Sequence, residues 1–155
     1  METKKEIFDF HNIKTFEDAC ERLGTDVRPL AYPFGGDEES FLQAWALYKL
    51  LIIQKAINNG VWCDKDGSSY YPYWHLFTKE EMEPLSEEEK QRKNIKQIRS
   101  YAYANYSGVR CSGVNRCVYA FSDYGAPFCY NSKEAALYVA NQFESLFLDY
   151  YGIKV

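Results

Sequence analysis

Histidine is scarce in this chain, since only His11 and His75 occur among its 155 residues. They lie in segments that nothing in the sequence brings together, so a histidine base beside a cysteine nucleophile has no support beyond the residue types. Glycine-rich phosphate loops, a Gly-x-Ser-x-Gly nucleophile turn and a His-Glu-x-x-His helix are also absent from the sequence. We therefore predict that the protein is not an enzyme of a familiar class. An unfamiliar enzyme that uses Cys129 or His75 stays open as a weaker alternative.

Closely spaced cysteines are lacking too. The chain has five, and the nearest pair, Cys111 and Cys117, is separated by five other residues, whereas zinc ligands usually come in tighter pairs. With Cys129 these two could converge in a sheet, but small buried thiols are the commoner explanation. An odd cysteine number and an amino terminus without a long apolar run favour reduced thiols in a cytoplasm. We predict no metal and no cofactor.

The sequence also lacks a membrane-spanning run and a net positive charge. The longest apolar stretch, 41–57, is interrupted by Gln43, Lys49, Gln54 and Lys55, so we expect no membrane segment. A net charge of −4 and a pI near 5.3 argue against a protein that binds duplex nucleic acid through its overall field.

Aromatic residues, in contrast, are abundant: 14 Tyr, 10 Phe and 3 Trp make 17% of the chain. A chain of this length can bury a core of its own, and no repeat or linker divides it, so residues 1–155 are predicted to form one domain. Each buried phenol needs a hydrogen-bond partner. Fourteen tyrosines therefore cannot all be buried. Some of them are expected to line a surface or an interface.

Helix start and stop signals predict three main helices. The first begins after a cap at Thr15 and ends at Gly24. The second, 38–59, is apolar nearly all around its axis, which indicates a central core helix. The third is amphipathic, follows a cap at Ser132 and ends at Gly152.

Two capping boxes follow one another between residues 78 and 89. Thr78 with Glu81 predicts a short helical turn, and Ser86 with Glu89 predicts a helix that runs to about Ile98.

Alternating aromatic segments predict a small sheet. Residues 70–77 are expected to be extended, with Pro72 placing them at a sheet edge. A hairpin with a turn at Gly108 to Gly113 and a third short strand are expected beyond them. The hairpin strands are 101–106 and 114–121, and the third strand is 128–130. The predicted fold is α+β, in which this antiparallel sheet packs against the central helix and the C-terminal amphipathic helix.

Charge is segregated in the middle of the chain, where six glutamates between residues 80 and 89 precede seven Lys or Arg in the acid-free stretch 90–122. Tyrosines are interleaved with these cations, a combination found where single-stranded nucleic acid or another flat anionic ligand stacks on rings. The candidate ligand-binding residues are Lys96, Arg99, Tyr101, Tyr103, Tyr106, Arg110 and Arg116. The commoner interpretation is that the charges complement a helix dipole and that the tyrosines pack across strands.

A second candidate site is the aromatic cluster Tyr70, Tyr71, Tyr73 and Trp74. Such a cluster stacks on sugars or is buried in a protein partner, although core packing and an oligomer interface are more usual. An aromatic edge strand left uncovered would promote aggregation, so self-association that covers it is a reasonable hypothesis.

Three stretches carry a resemblance to a known family: YKLLIIQKAINNG at 48–60, YYPYW at 70–74, and FCYNSKEAA at 128–136 continuing to Gln142-Phe143. In order, they resemble an uncharacterised family of small proteins encoded by bacteriophages and prophage-like elements of gut anaerobic bacteria, whereas residues 106–126 depart from the pattern. The resemblance implies a mobile-element origin and no particular activity. It places the protein in the cytoplasm of the bacterial host or in the virion.

These observations predict a non-enzymatic phage or mobile-element protein that acts by binding, as a virion-associated or host-interacting module with a protein partner. The alternative is an accessory or anti-defence factor that binds nucleic acid or a nucleotide through the basic, tyrosine-rich region.

Overall fold

The computed structural model describes residues 8–26, 37–60, 69–99, 105–117 and 128–155, with the side chains of all of these except 69 and 114–117. Within these ranges six α-helices and three strands form an α+β fold, as predicted. The elements in chain order are α1 (Phe16–Leu23), α2 (Glu38–Ile57), β1 (Ser69–Thr78), α3 (Lys79–Met82), α4 (Glu87–Arg92), β2 (Lys96–Gln97), β3 (Tyr106–Cys117), α5 (Lys133–Gln142) and α6 (Glu144–Tyr150).

The predicted helix starts are confirmed by their capping hydrogen bonds. The Thr15 hydroxyl accepts from the N–H of Asp18 at 3.0 Å, and the Asp18 carboxylate accepts in return from the N–H of Thr15 at 2.8 Å. The side chains of Asp37 and Ser132 cap α2 and α5 by accepting from the N–H groups three residues further on, without the reciprocal bond. Gly24 ends α1 in the left-handed conformation, with φ at 62°.

The second helix, α2, lies at the centre of the core, as its all-round apolar sequence predicts. Leu50, Ile53 and Ala56 have no solvent exposure. They pack in one cluster with apolar side chains of α1, α5 and α6, including Phe16, Val139 and others. α2 contacts mainly α1 and α6, whereas β1 and β3 contact α5.

The single C-terminal helix predicted up to Gly152 is two helices. Phe143 leaves the helical conformation with φ at −116° and joins α5 to α6. Its side chain is 5% exposed and belongs to the main core, so the break allows α6 to turn its own apolar face, with Phe147, onto the same core. Gly152 ends α6 with φ at 67°, as predicted.

The three strands form an antiparallel sheet in the order β1-β3-β2. The long pair β1 and β3 runs from Ser69 opposite Cys117 to Thr78 opposite Tyr106, with irregularities at Tyr73/Trp74 and Phe77/Thr78. The prediction that Pro72 lies in an edge strand is confirmed, because β1 is at one end of the sheet. Outside the named strands, Tyr130 bridges to Tyr70, so the predicted strand 128–130 is reduced to one bridge.

The helix predicted after Ser86 begins as expected, with the Ser86–Glu89 capping box, but its predicted end at about Ile98 is wrong. α4 ends at Arg92, and Asn94 then takes a positive φ of 51° before the chain enters β2. The side chains of Ile95 and Ile98 are each 8% exposed. Burial of Ile95 and Ile98 against the sheet favours an extended backbone in this segment. The polar residues around them would also have been compatible with a longer helix.

The predicted hairpin turn at Gly108 to Gly113 is also wrong, because β3 runs straight through it. A Cβ atom added to Gly108 would lie 2.5 Å from the Sδ of Met82, so the glycine allows α3 to pack closely on the strand. Gly113 has φ at 135° next to the first irregularity of β3. Residues 101–104 and 118–121 of the two predicted hairpin strands lie outside the described residues.

No helix among the described residues is both long and apolar enough to cross a membrane.

Candidate interaction face of the sheet

The alternation of side chains along β1 separates its aromatic residues onto two faces. Tyr70 and Trp74 pack against the main core, and the Trp74 ring lies 5.6 Å from that of Phe147 in α6. We call this the inner face; Pro72 and Leu76 share it by alternation. The outer face carries the aromatic row Tyr71, Tyr73, His75 and Phe77.

The aromatic row is ordered by contacts within the outer face. The rings of His75 and Phe77 are 4.4 Å apart in an edge arrangement. Arg110, which lies opposite His75 in the register, places its guanidinium carbon 5.6 Å from the centre of the Phe77 ring. Its Nε donates to the Ser112 hydroxyl at 3.2 Å. A cation over an aromatic ring attracts the electron-rich face of that ring, so Arg110 and Phe77 hold each other in place.

The outer face is covered at one end and exposed further along. Met82 of α3 packs over Gly108, which lies opposite Phe77. Further along β1, the Tyr73 side chain is 45% exposed, while Tyr71, His75 and Phe77 are partly exposed. Tyr73 therefore presents a large apolar ring to solvent in the middle of an aromatic row.

The predicted ligand-binding residues do not share one face in the described part of the chain. Lys96 lies opposite Val109 on the inner face and forms an ion pair with Glu144 of α6. Tyr106 is partly buried against a second apolar cluster that includes Val109 and Leu148. Arg110 lies on the outer face, as described above.

The other predicted ligand-binding residues contribute less to a surface. Arg99 has an exposed side chain, and its backbone N–H donates to the carbonyl of Lys154 at 2.6 Å. Arg116 lies opposite Tyr70, but its side chain is outside the described set. Tyr101 and Tyr103 lie outside the described residues.

The predicted partner interface is divided between the two faces of β1. Tyr70 and Trp74 help to build the inner face, whereas Tyr71 and Tyr73 belong to the outer aromatic row. Only the second pair is placed where a partner could contact both rings.

Comparison of the chain with protein-family models, with curated proteins and with solved structures finds no match. What the protein does must therefore be argued from the chemistry of its own surface.

Three cysteines, Cys20, Cys111 and Cys129, have free thiols in the described ranges. No group of three His, Cys, Asp or Glu side chains there could hold a metal ion. Cys129 is 2% exposed. Burial raises the pKa of the Cys111 thiol; a hydrogen bond with the Gly113 backbone opposes this in part and the negative charge of Glu144 adds to it, so the thiol stays protonated at neutral pH.

Sequence reasoning did not include His75 and Phe77 in a binding surface. Both continue the spacing of two residues that begins at Tyr71 and Tyr73. The period of a strand, applied along the whole of 70–77, would have placed all four rings on one face.

Proposed function

We propose that this is a non-enzymatic protein of a phage or other mobile element, and that it acts by binding a protein partner on the outer face of its sheet. The observation that carries the proposal is the Tyr73 side chain, 45% exposed in the aromatic row on the face that also carries Arg110. Tyrosine and arginine are the residues most enriched where protein surfaces meet.

The charges of this face favour a protein over a nucleic acid. A single-stranded nucleic acid needs a series of cations that follow its phosphates. Among the strand residues whose side chains are described, Arg110 is the one cation on the outer face, since Lys96 is on the inner face and is paired with Glu144. The net charge of the whole chain, −4, repels phosphates further.

The size of the expected effect follows from the type of residue. An exposed tyrosine that becomes fully buried at the centre of an interface commonly contributes about 2 kcal/mol or more to binding, and its removal weakens binding by about thirtyfold. The partner is therefore expected to be lost when Tyr73 is truncated.

The chain supplies a matched control for this experiment. Leu42 of α2 is 47% exposed, against 45% for Tyr73, but lies on a different element. Host proteins bound by immobilised wild-type, Tyr73→Ser and Leu42→Ser chains would be quantified by mass spectrometry. We expect a protein that is retained by wild type and Leu42→Ser and lost from Tyr73→Ser; the same recovery from all three chains refutes the proposal.

Nucleic-acid binding is tested with a fluorescently labelled single-stranded oligonucleotide. Affinity that falls steeply with salt and is reduced by Arg110→Ala would favour the alternative function over the proposed one. We expect no such binding at physiological salt.

The mobile-element origin is supported by the resemblance of residues 48–60, 70–74 and 128–136. Mass spectrometry of purified virions would distinguish a virion component from a factor that acts in the host cell.

A further inference from the structure

One edge of β1 is open over most of its length in the described structure. β1 is the end strand of the sheet, and among the described residues only Tyr70 has a neighbour on the free side of β1, where it exchanges backbone hydrogen bonds of 2.9 and 2.7 Å with Tyr130. Hydrogen-bonding direction alternates along a strand. The N–H and C=O groups of Trp74 and Leu76, and the C=O of Pro72, therefore point to the same free side as those of Tyr70.

The open run ends at Thr78. The N–H of Thr78 donates to the Glu81 carboxylate at 2.8 Å, and its C=O accepts from the Ser107 hydroxyl at 3.5 Å. Pro72, at the other end of the run, has no N–H to offer. Neither end of the open run can therefore make both backbone hydrogen bonds to another strand: Pro72 has no N–H, and the N–H and C=O of Thr78 already have partners.

The strand also lacks the charged side chains that commonly protect an edge. Its ten residues, SYYPYWHLFT, include no Lys, Arg, Asp or Glu. Natural edge strands are commonly protected by charged side chains, which prevent pairing with another chain. Here Pro72 alone interrupts the row of donors.

We propose that two copies of this chain pair along β1, antiparallel about a two-fold axis at His75, and form a continuous six-stranded sheet. Trp74 of one copy then lies opposite Leu76 of the other, and each such pair exchanges two backbone hydrogen bonds. This proposal does not depend on the partner proposed above, because backbone groups of the edge make the pairing, and the outer aromatic row only adds cross-strand contacts between the two copies.

The register is selected by the two ends of the open run. With the axis at His75, Pro72 lies opposite Thr78, so the missing N–H of proline faces a residue whose carbonyl already has a donor. With the axis one residue earlier, at Trp74, Thr78 of the second copy would lie opposite Tyr70, in the place that Tyr130 occupies. The arrangement about His75 avoids that collision.

The side chains in this register complement one another on both faces. On the outer face, Tyr73 meets Phe77 of the second copy, which gives the exposed Tyr73 ring an aromatic neighbour. On the inner face, Trp74 meets Leu76. Aromatic and apolar cross-strand pairs of this kind stabilise antiparallel sheets, and the two His75 side chains face each other at the axis.

The first test is the mass of the full chain in solution, measured by light scattering at rising concentration up to about 1 mM, the range of weak association. We expect twice the chain mass of 18.1 kDa. His75→Lys places two like charges directly opposite each other and should weaken pairing about tenfold. Gln97→Lys adds the same charge to an exposed position on β2, at the opposite edge of the sheet, and should leave the dimer intact. A monomer at every concentration overturns the proposal.

The second test stays informative if the lysine variant fails to fold. At the two-fold axis the Cα atoms of facing residues are about 4.5 Å apart, within disulfide range. Under mild oxidation, His75→Cys should therefore link two copies, whereas Tyr73→Cys, which faces Phe77, should not. Wild type, which has its own cysteines, sets the background. Equal rates for His75→Cys and Tyr73→Cys would contradict pairing about His75.

Discussion

Replacing Asn58 by alanine should remove a buried connection between the central helix and the segment that reaches the sheet. Asn58 is 3% exposed at the end of α2. Its amide donates to the carbonyl of Cys129 at 2.9 Å, and its side-chain oxygen accepts from the N–H of Asn131 at 3.2 Å. Between these two residues lies Tyr130, which pairs with Tyr70 of β1.

The magnitude follows from the count of hydrogen bonds lost. A buried hydrogen bond contributes about 1 kcal/mol net, so Asn58→Ala should lower the free energy of unfolding by about 2 kcal/mol. Gln54, which is fully buried, donates to the same Cys129 carbonyl at 2.8 Å, and Gln54→Leu should cost about 1 kcal/mol. Because Asn58 and Gln54 donate to the same carbonyl, the loss in the double variant should differ from the sum of the two single losses by about 0.5 kcal/mol or more.

Urea unfolding followed by tryptophan fluorescence measures these differences. Gln142→Ala is the matched control, because its amide also donates to a backbone carbonyl, that of Lys14 at 2.9 Å, but on the exposed surface. The control should change stability by less than about 0.5 kcal/mol. A loss for Asn58→Ala no larger than that of the control, or strict additivity of Asn58 and Gln54, would refute the reasoning.

Three further perturbations have defined outcomes. The buried Tyr130 hydroxyl has no hydrogen-bond partner among the described groups, so Tyr130→Phe should raise the free energy of unfolding by about 1 kcal/mol in urea; a loss would contradict this. Hydrogen bonds, first from the N–H of Lys14, lower the pKa of Asp18, so its stabilisation is present above the unfolded pKa of about 3.9 and is lost as pH falls through the lower folded value. The difference in Tm between wild type and Asp18→Asn should therefore shrink with acid, and a constant difference would count against the cap. Gly108→Val should cost about 2 kcal/mol because of the close Met82 side chain, and a neutral effect in urea unfolding would show that α3 moves freely.

The helix starts could be predicted because their causes are local. Thr15 with Asp18 and Ser132 with Ala135 satisfy backbone groups within three residues, so the sequence pattern contains the whole interaction. The end of the helix after Ser86 could not be predicted in the same way. It depends on the burial of Ile95 and Ile98 against strands that are distant in sequence.

The sheet and its site were predictable only in outline. Aromatic alternation predicts β1. A glycine in the sequence is compatible both with a turn and with close packing of another element. At Gly108 the structure shows close packing, because Met82 of α3 lies against it. The face of Lys96 depends on Glu144, which is 48 residues away in sequence. A pair so far apart in sequence leaves no local pattern. The division of the cationic residues between the two faces of the sheet could therefore be seen only in the structure.

The proposed action through the outer face of the sheet requires that a partner contact Tyr73. It is tested most directly by replacing Tyr73 with the photo-reactive p-benzoylphenylalanine in the host cell and identifying the adducts by mass spectrometry. Leu42, with nearly the same exposure on α2, takes the same replacement as the control. We expect another protein to be cross-linked to position 73 and not to position 42. No such adduct at 73, or the same adducts at both positions, would contradict it.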